Sequence, residues 1–266
     1  MTFKDYPYFR DGDFLPFAHR GGSRRFPENT RASFEGAMAL GFRHIETDVH
    51  LSADGHLVVF HDSTVDRTTD GQGAVASMTL AELRKLDVGY RFSPGDGSFP
   101  YRGRGLSVMT LEEAFLISPD LYFNVEMKGS ALPVVDALNA FISAHGVRDR
   151  VLAAAADDRL TKRFRAICGE RVPTSPGAAG IARFWAAARV GAHRRFRFPF
   201  QALQVPIHHG VLQVVTPEFV EAAHEVGIAV HVWTIDDPTQ MRWLRELDVD
   251  GIMTDCPEVL QQTVCA

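Results

Sequence analysis

The chain lacks the cysteine pattern that would staple a small fold. Its three cysteines, Cys168, Cys256 and Cys265, are odd in number and contain no Cys-x-x-Cys pair, so neither a disulfide framework nor a zinc ribbon is expected. Free thiols in a reducing compartment are the expectation instead. There is no run of ~20 apolar residues, the length a membrane-spanning helix needs. Met1 to Asp13 shows no basic segment followed by an apolar one, so no secretory leader is read there. A cytoplasmic location without stable membrane insertion is expected. An excess of positive charge is missing too. The formal net charge is −5, which argues against a nucleic-acid partner, because binding along a phosphate backbone needs a basic face. The sequence does not reveal an oligomeric state.

What is present is an ordinary globular composition. The 45% hydrophobic and 23% charged residues are enough for a large core without staples. The apolar pattern alternates between period two and period 3.6, as a parallel α/β fold does. Strand-like stretches run over Leu15–His19, Phe42–Val49, His56–His61, Leu121–Lys128, Val151–Ala155, Val172–Ser175, Ala202–Val205, Ile228–Thr234 and Gly251–Thr254. Helix-like stretches separate most of them, for example Thr30–Leu40, Leu132–Ala144, Arg159–Cys168, Gly180–Val190 and Pro217–Val226. Roughly eight strand–helix units result, which predicts a (β/α)8 barrel of about 250 residues in one domain. A doubly wound open sheet reads similarly. Asp62 to Met109 breaks the rhythm. This stretch, residues 62–109, is too long for an ordinary βα loop and is read as an insertion above the barrel mouth within a single 1–266 domain.

Catalytic groups of such barrels stand at the C-terminal ends of strands, and several charged residues fall there. His19 and Arg20 close the first strand, and His61 closes the stretch after the second. Glu46 and Asp48 are two apart on one strand, so they share a face; Glu126 and Lys128 do the same on another. A single buried histidine is usually a core residue. A Glu-x-Asp pair is often a solvent-facing edge, but a parallel barrel buries both faces of its strands, and buried acids need a cation. Glu46, Asp48 and Glu126 offer hard oxygen ligands suited to Mg²⁺, Ca²⁺ or Mn²⁺. Three carboxylates, one divalent ion, Arg20 and Lys128 together leave one positive charge, which matches a phosphodiester. Arg20 could fork onto two phosphate oxygens. His19 and His61 suit general acid–base work near neutral pH.

His19-Arg20-Gly21, Pro27-Glu28-Asn29-Thr30, Glu46-Thr47-Asp48-Val49, Asp54-Gly55, His61-Asp62, Asp66-Arg67-Thr68-Thr69, Asn124-Val125-Glu126-Met127-Lys128, Trp233-Thr234 and Asp250-Gly251-Ile252-Met253-Thr254-Asp255 resemble, in order and spacing, the glycerophosphodiester phosphodiesterase family. The resemblance spans about His19 to Pro257, dense in the first half and weak from Val151 to Val215. It implies a TIM-type barrel with a small insertion after the second strand, and hydrolysis of a small-molecule glycerophosphodiester to an alcohol and sn-glycerol 3-phosphate. It implies His19 and His61 as the acid–base pair and Glu46, Asp48 and Glu126 as ligands of one divalent cation. Arg20 and Lys128 would contact phosphate, Glu28 would stand at the pocket, and Trp233 would wall it beside the glycerol. His50 and Ser52 stand where Gln and Thr are commoner in the family, and are not expected to touch the reaction.

A lysophospholipase D-like activity using the same site is the alternative. The mixed basic and aromatic stretch Arg194–Phe200 is read either as a packed edge with solvated arginines or as a lip that meets lipid. A silent barrel that binds phosphorylated ligands would need no second histidine.

Overall fold

The computed structural model describes residues 2–10, 12–129 and 131–264; Cys265 lies outside them. Seven parallel strands form most of a barrel: β1 (Leu15–His19), β2 (His44–Leu51), β4 (Tyr122–Met127), β5 (Val151–Ala154), β6 (Ala202–Val205), β9 (Ala229–Val232) and β10 (Gly251–Thr254). Their lateral order is β5-β4-β2-β1-β10-β9-β6, and β7 (His208–His209) and β8 (Leu212–Gln213) pair only with each other, as a short hairpin outside the ring. The ring is completed by residues 173–175. Ser175 N donates to Ala153 O on β5 at 3.0 Å, and Gln201 N, at the foot of β6, donates to Thr174 O at 3.0 Å. The stretch expected to be a strand over Val172–Ser175 is thus a single bridge, Ala153 with Thr174. Pro173 and Pro176 flank the bridge and remove two backbone donors.

The expected strand after the second is of a different kind. β3 (Leu57–Val59) pairs antiparallel with the end of β2 through the Ser52–His56 turn, where Gly55 takes φ +84°. It takes no place in the ring and returns the chain to the level of Asp48, whose carbonyl accepts from Phe60 N at 3.0 Å. Residues 60–110 then hold a 3-10 turn, α2 (Leu80–Leu83) and isolated bridges of Thr64 with Ala74 and of Thr110 with Val58. They have a small core of their own, in which Val65, Val75, Leu83 and Val108 pack on Val58 and Phe60.

The helices are α1 (Arg31–Ala39), α3 (Leu111–Phe115), α4 (Pro133–His145), α5 (Asp158–Cys168), α6 (Ala178–Arg189), α7 (Pro217–Glu225), α8 (Pro238–Glu246) and α9 (Pro257–Val264). The last of these was not read from the sequence. Their starts carry local signals. Thr30, Thr79 and Thr110 each accept a hydrogen bond from the backbone three residues on, satisfying a donor that the first turn leaves free. The outward strand residues, among them Ile45, Val49, Val125, Leu203 and Val230, pack against the helices as one core.

Inside the ring the two ends differ. At the strand N-termini, two 3-10 turns, Phe3–Asp5 and Pro7–Phe9, fill the cylinder. Phe3, Tyr6, Tyr8 and Phe9 pack there on Leu15, Phe17, Leu152 and Ala229, and Phe3 N donates to Gly227 O at 2.9 Å. Among the described residues, no helix is long and apolar enough to cross a membrane.

Candidate active site

Strand pleat carries the inward residues of β2 up the cylinder as His44, then Glu46, then Asp48. His44 is packed among rings, stacked on Tyr122 at 4.9 Å and edge-on to Tyr8 and Phe17 at 5.3 Å. Burial there pushes its pKa down to about 4. Two residues on, the environment turns ionic. β4 is in register with β2, Asp48 facing Glu126, and one oxygen of each of Glu46, Asp48 and Glu126 lies within 4.8 Å of the others. Lys128 Nζ reaches over them, 3.0 Å from Asp48 Oδ1 and 2.9 Å from Glu126 Oε2.

The two acids on β2 respond differently to burial. Burial and the Asp48 charge push Glu46 up to about 8. At Asp48 burial acts the same way but is outweighed by Lys128 and Arg20, which hold the carboxyl below its usual range. Asn29 Nδ2 also donates to Asp48 Oδ2 at 2.9 Å, and is itself aimed by Thr47 Oγ1, which donates to Asn29 Oδ1 at 2.8 Å. Burial is the larger cause at Glu46, and the like charge of Asp48 and Glu126 adds to it. Three oxygen donors facing one another around that charge fit a hard divalent cation.

Arg20 follows β1 in the left-handed region, φ +51°, which turns its side chain back across the mouth. Its Nε is 3.5 Å from Asp48 Oδ2 and its Nη1 is 3.1 Å from Glu28 Oε1. Gly21 next to it has φ +82°, and a Cβ there would run into the Ser33 side chain at the start of α1. Only glycine fits this turn.

Each histidine leans on a carboxylate. His19 Nδ1 is 2.6 Å from Asp255 Oδ1, and its Nε2 is 3.6 Å from Glu46 Oε2. His61 Nδ1 is 2.5 Å from Asp62 Oδ1. A carboxylate can only accept, so Nδ1 carries the proton in both rings and Nε2 is left for the site. Burial alone would lower the His19 pKa; the Glu46 and Asp255 carboxylates outweigh it and raise it. His61 shares a depression of about 520 Å³ with Lys128 and His50.

Asp62 is held in turn by Arg67, which donates from Nε to Oδ2 at 2.6 Å, and the same guanidinium grips Glu28 through two bonds of 2.7 Å. Asp62, Arg67, Asn29 and Asp255 belonged to the quoted motifs but were given no role from sequence. The signal available was an acid beside one histidine; Asp255 lies 236 residues from the other. Glu28 serves this network, bound to Arg20 and Arg67, and Thr30 rather than Glu28 caps α1.

Trp233 follows β9 at the mouth with 42% of its surface exposed. His231, two residues below, is inside the packed cylinder against Phe17, where burial takes its pKa to about 3. His50, expected to stay clear of the reaction, faces the mouth, with Nε2 3.1 Å from the His61 carbonyl oxygen. Ser52 stays in the β2–β3 turn and donates to Asp54 Oδ1 at 2.6 Å. The Arg194–Phe200 stretch precedes β6, so it lies at the strand N-termini. It cannot form a lip over this mouth.

A barrel with two carboxylate-paired histidines, an acid cluster and two cations at its mouth has the equipment of a phosphoric ester hydrolase. Comparison with known proteins carries this further. The profile of the glycerophosphoryl diester phosphodiesterase family matches residues 19–259. The glycerophosphodiester phosphodiesterase of Caldanaerobacter subterraneus subsp. tengcongensis is 34% identical over 92% of this chain and 96% of its own. The crystal structure of the glycerophosphoryl diester phosphodiesterase domain of an uncharacterized Mycobacterium tuberculosis protein is 22% identical, with a TM-score of 0.84 over 94% of this chain and 99% of that one. An Oleispira antarctica phosphodiesterase, solved in complex with the product sn-glycerol-3-phosphate, is 24% identical with a TM-score of 0.77 over 95% of this chain and 97% of that one. The protein is thus a phosphoric diester hydrolase on a TIM-type (β/α)8 barrel. It belongs to the glycerophosphoryl diester phosphodiesterase family.

Proposed function

We propose that this enzyme hydrolyses small glycerophosphodiesters to an alcohol and sn-glycerol 3-phosphate, at the mouth of the barrel, with one divalent cation. The observation that carries the reading is the meeting of the Glu46, Asp48 and Glu126 oxygens within 4.8 Å, beside Arg20 and Lys128 and flanked by two carboxylate-paired histidines. Glu46, Asp48 and Glu126 would hold the cation, Mg²⁺, Ca²⁺ or Mn²⁺. When bound, it supplies Lewis-acid polarisation of the phosphoryl oxygen. Lys128, which spans two of these acids in the structure, is then available to the phosphate. Arg20 grips a phosphoryl oxygen, held in place by Glu28. One imidazole takes the proton of the attacking oxygen as it bonds to phosphorus. The other gives its proton to the alcohol oxygen as the P–O bond breaks. Asp255 and Asp62 fix the tautomers that leave both Nε2 atoms on the reacting side. Trp233 walls the glycerol half.

We read residues 1–266 as one catalytic domain, with 62–109 an insertion that supplies Asp62 and Arg67 to the rim. Nothing in the Arg194–Phe200 stretch favours the lysophospholipid alternative, since that stretch is at the other end. The test is release of glycerol 3-phosphate from the choline, ethanolamine, glycerol and inositol diesters, with release of choline from lysophosphatidylcholine as comparator. Turnover of the soluble diesters is expected. Turnover of lysophosphatidylcholine alone would replace this reading with the alternative.

A further inference from the structure

The stretch Arg194–Phe200 encloses a pocket of about 640 Å³ at the N-terminal end of the barrel. Arg165 of α5 and Val172 line it too. The whole chain carries a net charge of −5, yet four guanidinium groups, those of Arg165, Arg194, Arg195 and Arg197, line this one cavity. Two of them are already neutralised. Arg194 Nε donates to Glu225 at 3.0 Å and Arg197 to Glu170 at 2.7 Å.

The other two are not. Among the described residues, neither Arg165 nor Arg195 has a carboxylate within 4.0 Å. Arg165 is half-buried and donates to Thr174 Oγ1 at 3.2 Å. Burial lowers its pKa, and the more distant Asp158 carboxylate offsets only part of that. The rest of the lining sets Gln201 and Glu170, the latter already bound to Arg197, beside apolar groups: Phe196 and Phe198, over which Arg183 stacks at 5.3 and 5.9 Å, with Val172 and Val226. Two guanidinium forks with no carboxylate in contact, next to the exposed ring of Phe196 and the partly buried ring of Phe198, suit a ligand with a doubly charged head and an apolar body. Planar guanidinium forks match the oxygens of phosphate.

From this juxtaposition we infer a second ligand site, separate from the catalytic mouth, that binds the phosphate of an organic phosphomonoester between Arg165 and Arg195 and its apolar part on Phe196 and Phe198. A soluble alkyl phosphate and a phosphatidate headgroup present the same chemistry. The site is reached from the face opposite the mouth, so its occupant and the diester substrate can be bound together.

The test uses the full chain in an Arg20→Gln/Lys128→Gln background, so that phosphate binding at the mouth is weakened and the remote pocket is read alone. Hexyl phosphate is titrated calorimetrically. Vesicles of phosphatidylcholine, with and without phosphatidic acid, are tested by sedimentation. Saturable binding of one hexyl phosphate is expected, weakened about tenfold or more by Arg165→Gln and by Arg195→Glu. Arg195 is exposed, so its reversal leaves the fold intact. In the otherwise wild-type enzyme both substitutions leave diester turnover unchanged. Capture by phosphatidate vesicles that Arg195→Glu abolishes identifies the lipid source; hexyl phosphate binding without vesicle capture identifies a soluble one. Non-saturating binding, or binding unaffected by Arg165→Gln and Arg195→Glu, would overturn the inference.

Discussion

At the C-terminal end of the strands the cylinder holds Glu46, Asp48, Glu126, Lys128, His19 and Arg20, while at the N-terminal end Phe3, Tyr8, Phe9 and Phe17 fill it with rings. Strand β2 passes from one regime to the other in two residues. His44 is driven to about 4 by burial among aromatics, whereas Asp48, equally buried, is kept ionised by Lys128 and Arg20. Burial pushes every group toward its neutral form. At Asp48 the mouth opposes that push by supplying counter-charges, and around His44 and His231 the packed base does not. The barrel therefore separates the end that can react from the end that holds it closed.

That contrast can be broken at several points. The largest effect is expected at the mouth: His19→Ala or His61→Ala lowers turnover by ~10²–10⁴-fold with little change in the urea midpoint. Equal loss of both quantities would mean that the imidazoles are structural. The converse belongs to the base. Phe9→Ala removes a ring packed against Phe3, Tyr8 and His231 and is expected to cost about 3–5 kcal/mol of stability, with kcat unchanged where the enzyme is folded. A large fall in kcat would show that the two ends are not independent.

Sequence alone reached much of this, for reasons that can be named. Glu46 and Asp48 stood out because a parallel barrel buries both faces of its strands, so an acid pair two residues apart on β2 had to be buried together. The strand ends at His19, Lys128 and Trp233 were legible because a barrel places its chemistry there. The fifth barrel position was faint because two prolines limit it to one bridge. Asp255 was unassigned because its partner His19 is set by the closing of the ring, and Arg67 because its link to Glu28 is set by how the 60–110 segment folds back, neither of which spacing reports; Asp62 could have been assigned from its place next to His61. The Arg194–Phe200 stretch was legible as basic and aromatic, but its end of the barrel depended on which strand it precedes.

Smaller effects sharpen the comparison. Arg67 joins the partner of His61 to the partner of Arg20. Arg67→Ala is expected to lower kcat about 10–100-fold, the usual cost of losing a group that orients a catalytic ligand. Added guanidinium should restore part of it, and Arg67→Lys little, because the two-carboxylate fork needs a planar donor. No change in kcat would remove Arg67 from the site. The smallest effect lies near the base, where His224 Nε2 meets Asp250 Oδ2 at 2.8 Å. The hydrogen bond to Asp250 raises the His224 pKa against the pull of burial. A raised folded-state pKa gives stability that is complete below the unfolded value of about 6.5 and is lost as pH rises through the folded value. The stability difference between wild type and His224→Gln should therefore shrink above neutral pH, from no more than about 1 kcal/mol. A difference that grows with pH in urea titrations would contradict the sign.

The most direct measurement is Mn²⁺ binding to chelator-treated enzyme, followed by electron paramagnetic resonance alongside release of glycerol 3-phosphate from glycerophosphocholine. One bound ion per chain is expected, with activity returning in proportion to occupancy, and with both lost in Asp48→Asn. Full activity in excess chelator, or undiminished ion binding and activity in Asp48→Asn, would contradict a reaction centred on Glu46, Asp48 and Glu126.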